Sequence, residues 1–79
     1  MSNTQIEVYL SAALDQEACR NTLIEALTSR VCALHDKGVA VLTIIECLEN
    51  LCVQPGQLHG DVIEDVMDWM LTEMRGGGA

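Results

Sequence analysis

Two kinds of side chain in this 79-residue chain could carry chemistry, thiols with imidazoles and a run of carboxylates. Cys32 and His35 stand three apart, so a helix would turn both to one side, and Cys47, Cys52 or His59 could complete a tetrahedral zinc set. The same Cys32 and His35 are the nearest thing to a nucleophile beside a base. Neither chemistry is well specified. There is no C-x-x-C pair, and Cys47 and Cys52 would diverge by about 140° around a helix. We therefore expect buried thiols and surface imidazoles, with no bound metal, no cofactor and no catalytic residue.

The carboxylates form a sharper pattern. In DVIEDVMDWMLTEM, residues 61 to 74, basic residues are absent, and at about 100° per residue Asp61, Glu64, Asp65 and Asp68 fall on one narrow stripe. Val62, Ile63, Val66, Met67, Met70, Leu71 and Met74 fill about 200° of the circumference, where a helix on a globular core usually needs an arc somewhat above ~100°. Trp69 sits at the edge of that arc, beside the acids. The width suggests more apolar surface than one small monomer can hide, and C2 dimers are the commonest sink.

Calcium needs a loop of oxygen ligands, and the D-x-[DN]-x-[DN]-G pattern does not occur. Phosphate-binding glycine loops are missing too. Twelve acids against four bases give a net charge of -8, which phosphate backbones and anionic lipid headgroups repel. A helix-turn-helix reading of residues 31 to 53 fails for the same reason, because its second helix would carry Glu46 and Glu49 and no cation.

The elements that must position these groups are helical. Residues 1 to 14 fit one helix face through Ile6, Tyr9, Leu10 and Ala13, capped by Asn3 or Thr4, although Ile6, Val8 and Leu10 also alternate as in a strand. Cys19, Leu23, Leu27, Val31 and Leu34 mark the apolar face of a second helix from Asp15 to Lys37. Asp15 would cap it, or kink one long helix running from residue 4, and Gly38 suits the left-handed stop position. VAVLTIIECLENLC, residues 39 to 52, reads as a third helix buried on most sides, with Glu46, Glu49 and Asn50 sharing its polar side. The Pro and Gly residues of 53 to 60 make a connector, and a last helix runs from Asp61 as cap to Arg75. Residues 76 to 79 form a Gly-rich tail that should fray.

The expectation is a single all-α domain over residues 1 to 75, a bundle of three to four helices. A fold this short buries only roughly 60 to 65% of its unfolded surface, which favours assembly as a helical homodimer. The contact would use Leu48, Leu51, Val62, Val66, Met67, Met70 and Met74. No apolar run reaches the ~18 residues a bilayer requires, and the first residues carry no signal-peptide pattern, so the chain reads as cytoplasmic with reduced thiols. Its expected function is that of a small acidic, non-catalytic regulator, an inhibitor, anti-activator or adaptor of the kind phages and mobile elements encode. Asp61, Glu64, Asp65, Asp68 and Trp69 would dock on a basic, partly apolar patch of a protein partner. The alternatives are an acidic DNA mimic competing for a nucleic-acid site, and a small metal-binding or structural oligomeric protein.

Overall fold

A computed structural model describes residues 2 to 75, with Arg75 described by its backbone alone. The Gly-rich tail lies outside the described residues. Among those residues the chain forms four α-helices and no strand: α1 (Asn3–Ala12), α2 (Arg20–Asp36), α3 (Val41–Cys52) and α4 (Gly60–Trp69), the last continuing as a π-helical stretch over Met70–Arg75.

The start of α1 is fixed by Ser2 rather than by Asn3 or Thr4. Ser2 Oγ accepts a hydrogen bond from the Gln5 N–H at 3.2 Å, and Gln5 Oε1 accepts one from the Ser2 N–H at 2.9 Å. This is the reciprocal capping box of S-x-x-Q, which satisfies two N–H groups that the helix itself leaves free. α1 stops where Ala13 and Leu14 turn inward and become buried, and Gln16 Nε2 donates to the Ala13 carbonyl at 2.8 Å. The long-helix alternative is thereby removed. Asp15 neither caps nor kinks a helix; it is exposed in the connector, and α2 begins five residues later with Cys19 in the cap position.

The far end of α2 follows the sequence closely. Gly38 has φ +94°, its N–H donates to the His35 carbonyl at 3.0 Å, and the Val39 N–H donates to the Leu34 carbonyl at 3.1 Å. That pair of bonds is the Schellman stop, which needs a left-handed residue where a side chain would be strained. Val39 then packs against the core, to which Leu34 belongs.

Packing closes a ring in which α1 rests on α3, α3 on α4, α4 on α2, and α2 on α1. α1 and α3 run in the same direction, because Cys47 Sγ reaches the Asn3 carbonyl while Asn50 Nδ2 donates to Glu7 Oε2 one turn further along both helices. The stripe Leu23, Leu27, Val31 and Leu34 is buried, as are Ile44, Ile45, Cys47, Leu48 and Leu51 of α3. Glu46, Glu49 and Asn50 are exposed together, as their helical spacing requires. Cys19, assigned to the apolar stripe by spacing alone, is exposed: the helix starts just after it, so it stands outside the face that Leu23 opens.

Most of the apolar arc of the last helix is occupied within the chain, Leu71 excepted. Val62, Ile63, Val66 and Met70 are buried, and Met67, Trp69 and Met74 are partly covered against the same core. α4 touches both α2 and α3, so two neighbours use an arc that one neighbour could not. Among the described residues no helix is long and apolar enough to cross a membrane.

Candidate acidic interface on the last helix

The acidic stripe divides into two parts. Arg20, the first residue of α2, places Nε 3.2 Å from Asp61 Oδ2 and pairs its Nη2 with Asp65 Oδ2. A cation in the first turn of a helix opposes the helix dipole, and the two carboxylates of α4 compensate it. Asp61 also lies in the first turn of α4, where negative charge is favoured, but the cap position belongs to His59. The Arg20 guanidinium holds the Asp61 carboxyl below its ordinary range.

Glu64 and Asp68, on the same stripe, take no part in that clamp and are exposed. Leu71, one turn beyond Asp68 and two beyond Glu64, is 43% exposed, while the half-buried Trp69 borders the stripe on its other side, next to Asp65. Among the described side chains, no cation pairs with these two carboxylates. Arg30 stacks 4.6 Å from the centre of the Tyr9 ring and donates to the Tyr9 carbonyl at 3.0 Å, and Lys37 lies 5.9 Å from the same ring. Of the five expected partner-binding residues, then, Glu64 and Asp68 are exposed outside the clamp, Trp69 is half-buried on the opposite border of the stripe, and Asp61 and Asp65 are tied to Arg20.

The expected dimer residues are placed differently. Leu48, Leu51, Val62, Val66 and Met70 are each no more than 2% exposed in the single chain, so a second copy could gain almost nothing from them without opening the fold. Met67 and Met74 retain partial exposure.

The thiols and imidazoles do not converge. Among the described residues no group of three or more His, Cys, Asp or Glu side chains is arranged to hold a metal ion. Cys47 is buried, which pushes its thiol up, with Glu7 and Glu46 adding to the effect. Cys19 is the reverse case. Its Sγ lies 3.2 Å from Thr22 Oγ1, and that hydrogen bond, followed by the Thr22 and Asn21 N–H groups, draws the thiol down. The sequence signal for this is thin: a Cys three residues before a Thr at a helix start becomes legible only once the start is known.

No known protein family, curated protein or solved structure matches this chain.

Proposed function

We propose that the protein is a small acidic, non-catalytic binding protein that acts by occupying a basic, partly apolar surface of another protein. Glu64 and Asp68 orient it by charge, and Trp69 and Leu71 supply the contact area that holds it. The observation that carries this reading is the line Glu64, Asp68 and Leu71 on one exposed edge, with Trp69 bordering the acidic stripe on its opposite side and, among the described side chains, no cation paired with Glu64 or Asp68. Asp61 and Asp65 support the surface rather than form it, by fixing the start of α4 against α2.

A homodimer belongs to the same proposal, drawn on the part-exposed Met67 and Met74 with Leu71 rather than on the enclosed residues of α3 and α4. Cytoplasmic action as an inhibitor, anti-activator or adaptor is likewise a proposal, supported by charge and size.

Affinity capture from the source cell tests the reading when variants are compared side by side. The combined Glu64→Lys and Asp68→Lys change, and Trp69→Ala alone, should each lose the same enriched protein. Loss with the charge reversal only would favour pure DNA mimicry, in which carboxylates imitate phosphates. Retention of the partner by both variants would refute the assigned surface. Reversing Asp65 instead would be a poorer test, because it also breaks the Arg20 clamp.

A further inference from the structure

A second surface lies elsewhere on the ring, on the outer face of α1. A cleft of about 700 Å³ opens between the α1–α2 connector and the α3–α4 connector, lined by Val8, Leu14, Asp15, Glu17, Leu58 and His59 among others. A smaller depression of about 250 Å³ continues it along α1, sharing Val8 and Ser11 and adding Glu7 and Leu51. Together they form a groove running beside a helix roughly 15 Å long.

Two properties set this groove apart from ordinary surface. Single exposed apolar residues mean little. Here, however, Val8 at 63% and Leu58 at 84% exposure come from different elements and line the same cleft. The charge is also one-sided: Glu7, Asp15 and Glu17 line the two depressions, and among the described residues neither has a Lys or Arg in its wall. Arg20, only three residues beyond Glu17, is held by Asp61 and Asp65.

We infer that this groove is a docking site for a short cationic, amphipathic helix of a partner protein. An apolar stripe on that helix covers Val8 and Leu58, and Lys or Arg side chains flanking the stripe meet Glu7, Asp15 and Glu17, as in helix-in-groove recognition. A second copy of this chain is the poorer occupant, since each copy carries a net charge of -8. The inference does not depend on the α4 surface, and none of the α4 residues assigned to that surface lines the groove.

The test uses the full chain and, as probe, a fluorescein-labelled amphipathic helix of Leu and Lys about 14 residues long, followed by anisotropy in about 0.15 M NaCl. Val8→Asp and Leu58→Asp, both at exposed positions that the fold does not bury, should each weaken binding by about tenfold or more. Asp15→Asn with Glu17→Gln should weaken it severalfold and flatten its salt dependence. Glu46→Gln with Glu49→Gln, which removes equal charge from α3 outside the groove, should leave affinity within about twofold. Equal loss from the α3 pair would show charge attraction without a site and overturn the inference, as would indifference to both apolar variants. So would sedimentation showing a dimer that Leu58→Asp dissociates, which would make the second copy the occupant.

Discussion

Arg20 and Asp61 are separated by 41 positions in sequence and meet at 3.2 Å, joining the first turn of α2 to the first turn of α4. Asp65 completes the clamp from the next turn of the same helix. These groups are substantially solvent-exposed, so the clamp is a fixture for the start of α4 more than a large source of stability. Arg20→Ala should lower the thermal midpoint modestly at low salt, and the difference from the unaltered protein should shrink in about 1 M NaCl.

The same clamp has a pH signature. Because Arg20 depresses the Asp61 carboxyl in the folded state, the unfolded chain takes up a proton at this group more readily. The stabilising contribution is full above the ordinary carboxylate value of about 3.9 and disappears as pH falls through the depressed folded value. Asp61→Asn should flatten the acid limb of a stability-versus-pH curve in that window and leave its slope near neutrality unchanged. An unchanged acid limb would mean that the pair does not persist in solution.

Gly38 offers a cleaner backbone test. Its φ of +94° is one that side chains rarely adopt, and a Cβ added there would meet nothing within 4 Å, so any cost comes from conformation alone. Gly38→Ala should destabilise by about 1–2 kcal/mol in chemical denaturation, and Gly38→Asn by less.

The cysteines should react in a set order. Cys19, exposed and with its thiolate favoured by Thr22, should be alkylated first by iodoacetamide, and Cys47 only on unfolding. Thr22→Val should move the pH midpoint of Cys19 alkylation upward. A rate profile for Cys19 that does not respond to Thr22→Val would contradict the hydrogen-bond assignment.

Leu48 separates folding from assembly. It is enclosed within one chain, so Leu48→Ala should cost about 2–5 kcal/mol, a large share of the stability of so small a domain, and the loss should not depend on protein concentration. A concentration-dependent loss would place Leu48 in a dimer contact.

Local signals in the sequence were easier to read than relations between elements. Leu23, Leu27, Val31 and Leu34 declare α2 because each lies one turn from the next, and Gly38 declares its end because only the left-handed position explains a glycine there. The capping box at Ser2 and Gln5 was equally local, but Asn3 and Thr4 are acceptable caps in composition and obscured it. The wide apolar arc of the last helix was legible as an arc. Its use was not, since that depends on α4 contacting two helices at once. The division of the acidic stripe was hidden for a related reason: nothing near residue 20 announces that its guanidinium will meet Asp61 and Asp65. Val8 and Leu58 likewise share a cleft only because two connectors meet at one end of the ring.

If Glu64 and Asp68 face a basic protein surface, zero-length carbodiimide coupling reads that contact directly, because it joins carboxylates only to amines in contact. Applied to the protein in extracts of its source cell and mapped by mass spectrometry, it should give cross-links from Glu64 and Asp68 to lysines of one partner. Glu46 and Glu49, also exposed but on α3, should give few. Cross-links spread evenly over all the exposed carboxylates, or concentrated on α3, would contradict the account.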